Sequence, residues 1–206
     1  MPSTALKLEP KFTYADYRTW PDDERWELIE GVPFAITPAP GTMHQRISLK
    51  LSSRFDRFFE GKSCIPFDAP TDVVLDDDTV VQPDVFVVCD RDKITEENIQ
   101  GAPDLVVEIL SPSTRIRDKR EKKALYERFG VREYLIVSPD EELVERYRLV
   151  ERRYWSPDIF NWDETLTSSA FPELTLNLWE IFDKEAPAVQ DAVPEEHCRT
   201  DCSNRP

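Results

Sequence analysis

Apolar positions along the chain cluster in short runs, some at helical spacing and more in β-branched blocks four to nine residues long. Thr13 to Asp16 reads as a helix start with Thr13 as its cap, and this helix stops at Trp20–Pro21. The stretch from Trp26 to Ile36 predicts two short strands around a turn at Glu30–Gly31. After a proline-rich loop, Thr42 is expected to cap a longer helix to about Glu60. Its apolar positions Ile47, Leu51, Phe55, Phe58 and Phe59 lie close to helical spacing, and Gly61 ends it. A strand near Ala69–Leu75, an acidic turn at Asp76–Asp78 and a strand over Val80–Val88 follow. Residues 91–103 read as a loop or short helix, and Leu105–Leu110 as another buried strand. Pro112 blocks its continuation, Ser113 or Thr114 starts a basic helix, and Gly130 ends that helix. Glu133–Ser138 is a further apolar strand, 143–150 and 152–156 form a hairpin, and Leu174–Phe182 is a last strand or helical turn.

This order predicts an α/β (α+β) fold: a central mixed sheet flanked by helices, with a crossover helix between the last two central strands and a β-hairpin ahead of them. At 206 residues the chain is one domain with appendages: an N-terminal arm over 1–11, a body over 12–183, and a tail over 184–206. The tail is rich in Ala, Pro and Glu and is expected to be disordered. With five glycines and no Gly-rich loop after a strand, no nucleotide cofactor is expected. No apolar stretch approaches a membrane span and no signal peptide opens the chain, so the expectation is a cytoplasmic protein with no membrane partner. The four cysteines form no framework. Cys64 and Cys89 lie in the body, and Cys198 and Cys202, beside His197, are read as reduced thiols in the tail, the ligand set being incomplete for zinc.

Two carboxylates stand out against the apolar pattern. Asp84 lies in Val80–Val88, and Glu108 in Leu105–Leu110. A carboxylate in a buried strand is costly unless it is paired, hydrogen-bonded or bound to a metal. Two on neighbouring strands make an oxygen-rich pocket suited to magnesium or manganese. The triplet Asp76–Asp78 is better read as a solvated hairpin turn. Asp104 also follows a proline, but four residues of strand put it roughly 13 Å from Glu108, so it is assigned to capping the start of that strand.

The net charge of −15 argues against a surface coated for nucleic acid. Residues 113–132 are the exception, with eight Lys or Arg against three Asp or Glu. That local excess could steer a phosphodiester, although on charge alone a solvated helix face laced with ion pairs is the better reading. At about 100° per residue, Lys122 falls on the face that carries Asp118, Leu125, Tyr126 and Phe129. Such a lysine either snorkels at the rim of the core or reaches toward Glu108, held by an ion pair to Asp118 one turn earlier. The second reading is preferred, because two strand carboxylates lie nearby.

The stretches Tyr14…Trp26-Glu-Leu-Ile-Glu-Gly31, His44-Gln-Arg-Ile47, Val81-Gln-Pro-Asp-Val85, Ala102 to Thr114, Asp118…Glu121-Lys122…Tyr126 and Gly130 to Tyr134 resemble the Uma-two family of endonucleases. That family belongs to the PD-(D/E)XK restriction-endonuclease-like superfamily, and the resemblance runs from about Lys11 to Phe182. It implies a restriction-endonuclease-like core and a divalent-metal-dependent endonuclease hydrolysing DNA phosphodiester bonds. Asp84 would be the motif aspartate and Glu108 the second acidic residue. The superfamily lysine is expected two residues after Glu108, where this chain has Leu110; the family pattern supplies Lys122 instead. Metal ligands would be Asp84, Glu108 and the Ile109 carbonyl, for Mg2+ or Mn2+, with Glu27, His44, Gln45 and Asp118 as supporting residues. DNA is the expected partner, and a homodimer the expected assembly. The alternative is a nuclease-fold protein without turnover that binds nucleic acid or, through its five tryptophans, another protein.

Overall fold

The computed structural model describes residues 11–21, 23–36, 41–112 and 114–188. Ser113, most of the N-terminal arm and the tail from residue 189, with His197, Cys198 and Cys202, lie outside the described residues. In chain order the elements are α1 (Tyr14–Tyr17), β1 (Trp26–Ile29), β2 (Val32–Ala35), α2 (Thr42–Phe59), β3 (Ile65–Asp68), β4 (Val73–Asp76), β5 (Thr79–Val81) and β6 (Val85–Val88). A 3-10 turn at Arg91–Lys93 leads to β7 (Ile99–Gln100) and β8 (Leu105–Ile109). A helical segment then joins α3 (Arg115–Arg117), a π-helical turn (Asp118–Lys122) and α4 (Lys123–Phe129). The remainder is β9 (Glu133–Ser138), β10 (Leu143–Val150), β11 (Arg153–Tyr154), β12 (Asp158–Asn161), β13 (Thr165–Thr167), β14 (Thr175–Asn177) and α5 (Leu178–Ile181).

The main sheet has the order β11-β10-β9-β8-β6-β3, with β12 also paired to β10. It is mixed: β6 runs antiparallel to β8, and β8 parallel to β9 through the helical crossover. A second sheet, β2-β1-β5-β4-β7, contains the predicted hairpin, and β13 pairs with β14. Strand alternation sorts the core. Val85, Val87, Leu105, Val107 and Ile109 pack with Ile47, Leu51, Phe55 and Phe59 of α2. Phe86, Val88, Val106 and Leu110 pack on the opposite face with Leu125 and Tyr126 of α4 and with the second sheet. Glu108 belongs by alternation with Val106 and Leu110, so its carboxylate is directed to the side covered by the crossover helix. Gly130 closes that helix in the left-handed region, at φ +84°.

Several elements differ from the sequence expectation. Val80–Val88 is two strands in two sheets: β5 ends at Val81, β6 begins at Val85, and Asp84 sits in the break. Pro83, with no N–H to donate, falls where the ladder is interrupted. The strand expected at Ala69–Leu75 begins only at Val73, and β3 precedes it. Gly41, not Thr42, is the N-cap of α2, and Thr42 is its first helical residue. Strands β12 and β13 had no counterpart in the pattern. Cys64 and Cys89 are joined in a disulfide one position beyond the Ile65–Val88 pair of β3 and β6. Such a bond would be reduced in the cytosol that the sequence suggests. No described helix is long and apolar enough to cross a membrane.

Candidate active site

Antiparallel pairing of β6 with β8 sets Val85 opposite Val107. The start of β6 therefore lies beside the end of β8, and Asp84 comes to the strand that bears Glu108. Asp84 Oδ2 accepts the Ile109 amide at 2.7 Å, and His44 Nε2 from α2 lies 3.2 Å from the same oxygen. The buried Nδ1 of His44 has no partner among the described residues. Glu108 is held in the same way: Lys122 Nζ at 2.8 Å and the Tyr126 hydroxyl at 2.7 Å both donate to Oε1. In each carboxylate one oxygen takes two contacts, while no hydrogen bond among the described residues reaches Asp84 Oδ1 or Glu108 Oε2.

Lys122 is buried and touches three acids: Glu27 Oε1 at 2.7 Å, Glu108 Oε1 at 2.8 Å and Asp118 Oδ1 at 3.8 Å. The expected Asp118 pair is thus present but is the longest of the three. The lysine stands at the end of the π-helical turn, a local irregularity often found at functional sites. Tyr134 ties that turn to the sheet, its hydroxyl donating to the Asp118 carbonyl at 3.0 Å. Glu27 in turn accepts the Gln82 amide at 3.0 Å and lies 3.4 Å from Arg117.

Burial pushes the Glu108 carboxyl well above the usual carboxylate range. Lys122 opposes that shift, while Asp118, Asp84 and Glu27 add to it. Burial raises Asp118 as well, again against Lys122. For Lys122 burial acts downward, yet Glu108, Glu27 and Asp118 outweigh it and leave the ammonium held well above its usual range. One ammonium faces three buried carboxylates, so Lys122 keeps its charge and the resistance to ionisation falls on Glu108 and Asp118.

These groups line one cavity of about 420 Å³ with Gln45, Ile109, Arg25 and Gln82. The structure therefore gathers Asp84, Glu108, Lys122, Ile109, Glu27, His44, Gln45 and Asp118, every residue that the sequence reading nominated. A larger cavity of about 770 Å³ beside α2 and α5 contains Lys50, Arg54, Trp179 and Asp183 but none of these carboxylates. Asp104 lies elsewhere: it accepts the Cys89 amide at 2.8 Å and faces Arg132 at 3.5 Å. The basic segment is mostly neutralised. Arg115 meets Asp140 and Glu141, Lys119 meets Glu145, and Arg128 meets Glu30. Of the five tryptophans only Trp155 is exposed, at 63%. Sequence reasoning missed Tyr126, Arg25 and Gln82. Tyr126 shares the face of Lys122 on the helical wheel, which was the available signal; Gln82 and Arg25 gave none beyond their neighbours.

A mixed sheet between helices, with two carboxylates and a helix-borne lysine at adjoining strand ends, defines a restriction-endonuclease-like protein. A protein of Anabaena variabilis described as a "putative nuclease belonging to DUF820" shares the fold. Its crystal structure matches at a TM-score of 0.70 with 22% identity, over 84% of this chain and 98% of that one. The model of the Uma-two family (Uma2, "Putative restriction endonuclease") matches residues 14–178, and the chain belongs to that family. An uncharacterized Synechocystis protein, slr1290, is 30% identical over 151 residues, covering 71% of this chain and 78% of that protein.

Proposed function

We propose that this protein is a metal-dependent endonuclease that hydrolyses DNA phosphodiester bonds at the Asp84–Glu108 cavity. The observation that carries this reading is the paired presentation of the two carboxylates. Each has one oxygen fixed by two neighbours and the other without a hydrogen bond among the described residues, as expected of ligands oriented by a surrounding shell. All-oxygen donors suit magnesium or manganese. Among the described residues no three His, Cys, Asp or Glu groups form a cage by themselves. Two carboxylates with the Ile109 carbonyl and water are the open kind of site that magnesium takes. Asp84, Glu108 and the Ile109 carbonyl would hold the metal, which when bound would lower the pKa of a water and offset charge on the scissile phosphate.

Lys122, charged and anchored between Glu27 and Glu108, lies where it can stabilise negative charge that builds on phosphate oxygens. His44 fixes Asp84, Tyr126 fixes Glu108, and Glu27 with Asp118 holds the lysine; Gln45 at the cavity wall is placed to meet substrate. The homodimer would draw on exposed apolar residues such as Val150, Trp155 and Ile159. A second reading, a nuclease-fold protein without turnover that binds another protein, is favoured by the ion pairing of the basic segment, which leaves little free positive charge to attract DNA. Incubation of supercoiled plasmid with the full chain, in magnesium, in manganese and in excess chelator, separates the two. Metal-dependent, chelator-blocked nicking supports the nuclease; intact plasmid under every condition rejects it.

A further inference from the structure

Three Lys or Arg side chains line the cavity: Arg25, Arg117 and Lys122. Arg117 lies 3.4 Å from Glu27 and stacks over Phe34 at 4.4 Å, and Lys122 is enclosed by acids. Arg25 differs. Its Nε and Nη2 both donate to the neutral Gln82 Oε1, at 3.0 and 2.8 Å, and it makes no ion pair among the described residues. The Gln82 amide is itself fixed. Its Nε2 donates to Asp72 at 2.8 Å, and its backbone N–H donates to Glu27 at 3.0 Å. Gln82 stands two residues before Asp84, so this holder is built into the segment that presents the carboxylate.

A guanidinium has five N–H donors in a rigid fork, and Gln82 engages two directions of it. An amide acceptor orients the fork without cancelling its charge, whereas a carboxylate would do both. In a chain with 41 acidic and 26 basic residues, and beside four cavity carboxylates, this charge has no ion-pair partner among the described residues. Arg25 is half-buried and lines the cavity, and a guanidinium fork can pair with two oxygens of a phosphate.

Deepening the nuclease reading, on which it rests, we infer that Arg25 grips a backbone phosphate of the nucleic acid, as a substrate-binding residue held in place by Gln82. One phosphate contact accounts for about one unit of the slope of log affinity against log salt. Binding of a fluorescent duplex oligonucleotide to the full chain in chelator should therefore be about tenfold weaker for Arg25→Ala, with the salt slope lower by about 1. Arg25→Lys keeps the charge without the fork and should fall between the two, which also covers a folding defect in the alanine variant. In magnesium, KM for DNA should rise with kcat within about twofold. Unchanged affinity and slope in Arg25→Ala would overturn the inference, as would a fall in kcat with KM and slope intact. A wild type that neither binds nor cuts would remove the nuclease reading, and the inference with it.

Discussion

Asp84 and Asp104 are alike in the sequence, each following a proline and each leading into a buried β-branched strand. Their surroundings are opposite. Asp84 meets His44, the Ile109 amide and the Glu108 strand in a cavity, while Asp104 accepts the Cys89 amide and faces the half-exposed Arg132. The antiparallel pairing of β6 with β8 explains the difference. The beginnings of two antiparallel strands lie at opposite ends of the sheet, so only the aspartate that opens β6 can sit beside the glutamate that closes β8. Chemistry in this fold is decided by which strand ends the topology brings together, and a dipeptide does not carry that information.

The two ends should answer differently to loss of their basic partner. Lys122→Met leaves Glu108 and Asp118 buried without a cation and Glu27 with Arg117 alone, and should cost about 3–5 kcal/mol. Adding Glu108→Gln should recover part of that cost. Arg132→Met removes only a half-exposed partner from Asp104 and should cost no more than about 1 kcal/mol. Urea unfolding of the variants checks this pair, and equal losses at the two ends would break the contrast.

A smaller effect sharpens the cavity side. Tyr126→Phe removes one of the two donors to Glu108 Oε1, with the ring still packed against Tyr134. The magnesium concentration for half-maximal cleavage should rise about 10- to 100-fold, the usual consequence of losing a group that orients a metal ligand. The smallest effect belongs to Asp104→Asn, which weakens the acceptor for the Cys89 amide. It should lower stability by about 1 kcal/mol and leave the cleavage rate unchanged.

Much of this was legible beforehand because local signals agreed. Gly31 and Gly130 end their elements in the left-handed region, as their turn chemistry requires. β9 spans Glu133–Ser138 as its apolar run indicates. The wheel found the inward face of Lys122 even though the segment is π-helical, because Asp118 and Lys122 remain on one side of the turn. Where the reading failed, the deciding contacts were non-local. Nothing within Val80–Val88 tells that its two halves join different sheets, and a short, half-exposed strand such as β12, with Ile159 and Phe160 its only apolar residues, has no long apolar run to betray it. The ion-paired face preferred for residues 113–132 is present, but its partners could not be read locally: the acids come from distant segments, Glu27, Glu30, Asp140 and Glu145 among them. Arg25 escaped notice because its lack of an acidic partner among the described residues is a property of the folded arrangement and not of its local sequence.

The most direct test is metal-dependent plasmid cleavage by the wild type beside Asp84→Asn and Asp104→Asn, each verified as folded. Wild-type and Asp104→Asn proteins should cut at the same rate, and Asp84→Asn should lose on the order of a thousandfold or more. If Asp84→Asn cuts as fast as Asp104→Asn, the cavity at the end of β8 is not where the chemistry happens.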